Sequence, residues 1–521
     1  MTVQHYQVST RRTRRWPARL RSSGAPSEAP SVTRSGAVRV AGLAGLLSLL
    51  GGLAPAGATP IGSAAPTDPR FVYVSGVVSG TVAALAIAVD GTLQAVPGSP
   101  VASGQGTLAV VVAPNGRQAY AANVGSRSVS GWSVGAGGAL TPLPGSPYDT
   151  QLSPANVAVS PEGRQLYVTT NEAGGSVLGF TIGADGALQA QAGGAVPIGG
   201  TGGTTFVAVS PDGRHLFASS YGGGTVSSLV IEPDGSVSRG AMTRVGAGTL
   251  PIYLQVSPDG RFVFVANESS NDVSAYLVGP TGGLSAVPGS PFPAGGQPHG
   301  AVITSDSRTL YVPLSSTNAT AAFAIGSDGT LTRLAGAPFT TGVSGEMTGS
   351  AAVSPDGHRL YVVEVGNLTS PASPSIVRTF AIGAAGELTA LPGAAASSGV
   401  MFADGQSLMV TPDQGPTAAF RSTPAAGAGQ VRFDGSASSA PDGRPLARYG
   451  WTFGDGSSIT SRSPSVVHHY REPGAYTVTL TVTDAENCSL ALVFHGQSAS
   501  CNRDPRARIT QRTTVGPLQR T

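Results

Sequence analysis

Acid–base chemistry in this chain can fall to only a few side chains. His299, in "QPHGA", and Glu346, in "SGEMT", stand just ahead of short apolar-alternating runs, and Glu268, in "VANESSN", follows one. A histidine beside a carboxylate can take a proton from water while its partner holds the ring in place, which equips the pair for attack on a carbonyl carbon. Glu172, Tyr221, Tyr253 and Glu364 occupy matching positions and are candidates for ligand contact. Each has an ordinary alternative as well. His299 suits a capped turn, the glutamates suit solvated loops, and the tyrosines suit packing as much as stacking on a sugar ring.

Other chemistries lack their residues. "GVSGE" at Gly342 does not have the spacing of a nucleophile elbow, and no zinc-binding helix can be drawn. Isolated Asp-Gly pairs do not converge on the six or more oxygens that calcium takes, and His468-His469 form at most a strand-edge pair. Neither a metal nor a cofactor is expected.

The candidates owe their positions to a repeat. "VSPEGRQLYVTTN", "VSPDGRHLFASS", "VSPDGRFVFVAN" and "VSPDGHRLYVVE" are near-copies. Aligned on the kink, the chain shows Gly116, Gly163, Gly213, Gly260, Ser307, Gly357 and Gly405, in steps of 47 to 50 residues. One period holds four short strands and Gly-containing turns with no helical pattern, the content of a propeller blade. The varying acid and the serine in one copy suit a hairpin turn better than a shared ligand site.

Six full units run from about Thr107 to Gly393, and "RFVYVSG", "TVAALAIA" and "TLQAV" supply three strands before them. "SGVMFA", Ser398 to Ala403, is expected to be the innermost strand that completes this first blade, closing a ring of seven. "QSLMV" from Gln406 resembles a second strand and would make eight. On this register, His299, Glu346 and Tyr253 enter innermost strands, and Glu172, Tyr221, Glu268 and Glu364 follow second strands. All then face the axial mouth.

The kink followed by "LYVTTN", third strands such as "VLGFTIGADGAL" and fourth strands ending "LPGSP" resemble the YVTN/lactonase-type, 6-phosphogluconolactonase-like seven-bladed propellers over Arg70 to Thr411. The resemblance implies the offset ring closure, and it matches Glu268 to an Asn-Glu of that family. The family's Arg-His pair reads "LPIY" here, and no arginine stands among the expected mouth positions, which argues against a phosphorylated substrate. From Pro416 the period stops. "WTFGDG" and "HHYREPGAYTVTLTVTD" resemble a PKD domain, an extracellular Ig-like module that spaces partners or binds protein or polysaccharide. The fold class is therefore all-β, a seven-bladed β-propeller over 70–411 and a PKD-like β-sandwich over 416–516, with a linker at 59–69 and a tail at 517–521.

The charge balance is split. The chain has no lysine, and its first 58 residues hold eight arginines against Glu28 alone, leaving 23 positive and 27 negative charges beyond them. A slightly acidic mature chain does not suit nucleic acid. "VAGLAGLLSLLGGL" followed by "APAGA" has the pattern of an export signal cleaved near Ala56 or Ala58, too short for a membrane span. Cys488 and Cys501 fit export as a loop-closing disulfide, and His495 between them does not complete a metal site. The expectation is a secreted or cell-surface monomer that binds envelope polysaccharide or protein through its propeller, with the sandwich as spacer or second binder. The alternative is a secreted hydrolase of a small lactone that uses His299, Glu346 and Glu268.

Overall fold

The computed structural model describes residues 70–198, 202–244, 250–343, 346–366, 373–441 and 443–516. The proposed export signal, linker and tail lie outside the described residues. Among the described residues no helix is long and apolar enough to cross a membrane.

Seven antiparallel sheets form the blades. Blade 1 combines Phe71–Gly76, Thr81–Ile87 and Leu93–Ala95 with an innermost strand from the far end of the ring, Leu408–Val410. Val72 faces Val410 and Val74 faces Leu408 across this seam. Blades 2 to 7 begin at Thr107, Pro154, Thr204, Pro251, Val302 and Thr348. The apolar alternation of the first two strands is buried on both faces, as expected of sheets packed between sheets.

The repeated motifs each have a physical job. In the kink, Gly260 adopts φ 74° and Ser307 adopts φ 61°, so the turn demands a left-handed residue even where glycine is absent. Asp259 Oδ1 accepts the Arg261 N–H at 3.1 Å and a hydrogen bond from the Ser257 hydroxyl, an arrangement local to the turn. In "PGSP", the serine hydroxyl replaces a lost ladder acceptor: Ser99 Oγ takes the Ala84 N–H at 2.7 Å, Ser146 Oγ the Gly131 N–H and Ser290 Oγ the Ala275 N–H, both at 2.9 Å.

A tyrosine in the second strand of four blades ties blade to blade. Tyr73, Tyr120, Tyr167 and Tyr311 donate to the carbonyls of Gly138, Gly186, Gly235 and Gly386, each in the third turn of the following blade, at 2.7–2.9 Å. Phe217 and Phe264 fill the equivalent positions in blades 4 and 5, where packing alone suffices.

The seam corrects one expectation. Ser398–Ala403 is not a strand, and the innermost strand of blade 1 is Leu408–Val410, inside the segment expected to be a second strand. The last copy of "VSPD" is accordingly Val410-Thr411-Pro412-Asp413, and Asp404-Gly405 belongs to the loop entering the strand. Among the described residues there are seven blades and no eighth.

The sandwich that follows packs Arg421–Pro424, Gln430–Asp434 and Ser465–His469 against Ser458–Ser461, Arg448–Thr452, Gly474–Thr483 and Arg508–Val515. Trp451, Phe433, Phe453 and Tyr470 fill its core, with Tyr476 half-buried at the edge. His468 is structural: it stacks 3.9 Å from the Phe453 ring and bonds Asp455 of "FGDG" at 2.7 Å. Burial opposes ionisation of Asp455, but hydrogen bonds from Ser457 and His468 prevail and bring it to about 2. Cys488 and Cys501 form the expected disulfide.

Candidate functional site

Innermost strands all run from the mouth to the opposite face, so the residues that enter them ring one end of the axis. His299 enters blade 6 there, its N–H bound to the Pro313 carbonyl at 2.9 Å. Its Nε2 lies 2.7 Å from Asp404 Oδ1, on the loop entering the strand of blade 1. Its Nδ1 lies 3.6 Å from Glu268 Oε1, in the loop that follows the second strand of blade 5. Glu268 Oε2 in turn accepts a 2.8 Å hydrogen bond from Tyr221, which follows the second strand of blade 4. Four blades thus contribute one polar chain, Tyr221–Glu268–His299–Asp404.

The imidazole sits between two carboxylates and is almost wholly buried, whereas the Asp404 side chain is 29% exposed. Burial disfavours the charged ring. The charges and hydrogen bonds of Asp404 and Glu268 outweigh that and raise His299 to about 10, so it is an imidazolium at neutral pH. Burial, then the neighbouring Glu268, pushes the Tyr221 hydroxyl upward, keeping it a neutral donor. Among the described residues, the cluster sets one positive ring beside two carboxylates.

The other expected residues make contacts of their own. Among the described residues no hydrogen bond or ion pair links the Glu346 carboxylate to this cluster, and its backbone N–H turns to Val343 O at 3.3 Å. Glu172 accepts the Ser153 N–H at 2.6 Å and closes its own blade. Glu364, fully buried, accepts the Val343 N–H and Arg378 Nε, both at 2.7 Å. Tyr253 is buried with its ring 3.9 Å from Phe206. Asp404 was hidden because "ADG" imitates the kink. The signal that could have found it is "VTPD" at Val410–Asp413, which sets the register of the last strand.

Chemically, the cluster offers an accessible carboxylate able to accept a proton and to return it, held at 2.7 Å by an imidazolium. The fold and this arrangement define a seven-bladed β-propeller with an acid–base cluster at its axial mouth, carrying an Ig-like sandwich. The family model for the lactonase 7-bladed beta-propeller matches residues 125–399 and that for the PKD domain matches 413–493. The chain belongs to the lactonase seven-bladed propeller family, extended by a PKD domain. Among solved structures it is similar to a proposed 6-phosphogluconolactonase of Bacteroides fragilis, at 19% identity and TM-score 0.55 over 66% of this chain and 98% of that one. It is also similar to the periplasmic gluconolactonase PpgL of Pseudomonas aeruginosa, at 22% identity and TM-score 0.53 over 66% of this chain and 99% of that one. At such identities the likeness speaks for the fold alone.

Proposed function

We propose that the protein is an exported hydrolase of a small, uncharged lactone, acting at the axial mouth. The observation that carries this reading is the convergence of Tyr221, Glu268, His299 and Asp404 from four separate blades. Asp404, the more exposed carboxylate, takes a proton from water as the water oxygen bonds to the lactone carbonyl carbon. The ring C–O bond then breaks, and its oxygen takes that proton back from Asp404. The His299 imidazolium keeps both its protons throughout and holds the carboxylate through Nε2 at 2.7 Å.

The sequence positions expected at the mouth hold no arginine, which disfavours a phosphorylated substrate. Export is supported by the N-terminal signal pattern and the disulfide. The experiment is hydrolysis of an unphosphorylated aldonolactone by the purified protein, with acid release followed against the spontaneous rate. Turnover that collapses in Asp404→Asn is expected. No rate above background, or an unchanged rate in that variant, sinks the reading.

A second reading keeps the mouth as a recognition surface without turnover and makes the sandwich a second binder for envelope polysaccharide or protein. Its support is the pair Ile459 and Val467, 48% and 47% exposed on the sandwich strands. Saturable binding of the lactone without acid release favours it.

A further inference from the structure

The sandwich does more than follow the ring. Between its cysteines the chain forms a hairpin, Leu492–Phe494 paired with Ala499–Asn502, and the hairpin tip enters the axis. Gly496 O accepts the N–H of Val209, and Gln497 O accepts the N–H of Val159. Ser498 Oγ donates to Val112 O at 2.7 Å, Gln497 Nε2 to Val207 O at 2.8 Å, and Gln255 Nε2 to Gln497 Oε1 at 3.2 Å. The innermost strands of blades 2 to 5 therefore bond to the tip. Val112, Val159 and Val209 end their strands, so the tip enters from the face opposite His299.

The seat is built for this tip. Phe494 is fully buried in a cluster with Ala158, Tyr167, Val207 and Val209. Gly496 holds φ +95°, and a Cβ there would lie 2.8 Å from the Ala208 Cβ, so only glycine passes this point. Channel-facing edges of innermost strands otherwise present unpaired backbone groups, and the tip satisfies them. Beside Tyr253, Gln255, Gln406 and His495 the channel keeps a pocket of about 60 Å³.

We propose that the Cys488–Cys501 hairpin is a redox-conditional plug, seated in the axial channel only when its disulfide is closed. Closure occurs by exchange with an external disulfide: the two cysteine thiols lose two electrons and two protons, one S–S bond forms, and the external disulfide leaves as two thiols. The cross-link holds the strands of the hairpin in pairing register while the tip is ordered. Reduction releases the tip, and the channel opens at the face opposite the mouth. The inference is independent of any catalytic activity.

Hydrogen exchange of the full mature chain tests it, read at the Val159 and Val209 amides, with Val110 as the control because its N–H bonds to Gln406 O inside the ring. Phosphine reduction and the Cys488→Ser/Cys501→Ser double variant should each accelerate Val159 and Val209 on the order of 100-fold while Val110 stays protected. Gly496→Ala should do the same with the disulfide intact, because it acts on the seat. Unchanged protection of Val159 and Val209 after reduction overturns the proposal. So does loss of protection at Val110 as well, because the disulfide would then support the whole ring rather than the plug.

Discussion

The imidazole of His299 and the carboxylate of Asp404 meet at 2.7 Å although 105 residues separate them in the chain. Asp404 reaches the mouth because blade 1 borrows its innermost strand from beyond blade 7, and the loop entering that strand carries the acid. Ring closure and assembly of the cluster are thus a single event.

Asp404→Asn should keep the fold but lower kcat by ~100-fold or more, because the amide cannot take the proton from water. His299→Gln should lose a similar factor by removing the cation that holds Asp404 in place as a carboxylate. Steady-state kinetics on an unphosphorylated lactone measure both, with circular dichroism reporting the fold.

Raised to about 10 in the fold against ~6.5 in an unfolded chain, His299 contributes stability in full below about pH 6.5. That contribution disappears as pH rises through about 10. Melting temperatures of wild type and His299→Gln should differ most at pH 6 and converge above pH 10. A gap that widens with alkalinity contradicts the imidazolium assignment. For the same reason kcat should show no inflection near pH 6.5.

Asp484 sits buried at the junction of ring and sandwich, near Asp413. Burial first, then the charge of Asp413, holds its carboxyl well above the ordinary range. A raised acid favours the fold at low pH and loses that contribution as pH rises. Asp484→Asn keeps the acceptor that bonds the Glu486 and Cys488 N–H groups and cannot ionise. The variant should melt higher than wild type at alkaline pH, where a scanning calorimeter reads the gap directly.

The repeated tyrosines permit a paired comparison. Tyr120→Phe deletes the donor to Gly186 O and should cost about 1 kcal/mol, in the range of an ordinary buried hydrogen bond. Tyr167→Phe should cost less, because Gly235 O also accepts from Gln191 Nε2 at 3.2 Å. Urea unfolding of the two variants ranks them, and equal costs would remove the distinction.

Arg378→Met leaves Glu364 buried with only the Val343 N–H and should destabilise by about 2–3 kcal/mol. Adding Glu364→Gln should recover most of the loss. Failure of that rescue in denaturant titrations would mean that Arg378 matters through packing.

The ring was legible because its turn chemistry repeats: a left-handed residue after an acid, at a period near 48, has few architectural readings. The same strength misled at one point. "ADG" at Ala403–Gly405 has the letters of the kink without its context, and taking it for a hinge moved the last strand and hid Asp404. His299, Glu268 and Tyr221 were visible from register alone. Register does not tell a carboxylate that turns inward from one that caps its own loop, so Glu172, Glu346 and Glu364 were grouped with them. The plug left no trace in periodicity, because its fit depends on backbone groups of strands hundreds of residues away.

The seam in blade 1 also sets an order of events. Phe71–Gly76 emerges early in synthesis, yet its inner neighbour Leu408–Val410 follows after six further blades. Until then the nascent ring is an open arc with one unfinished end, and contacts of such separation form slowly. The last stitch of the ring is thus also the last strand of the ring to be synthesised.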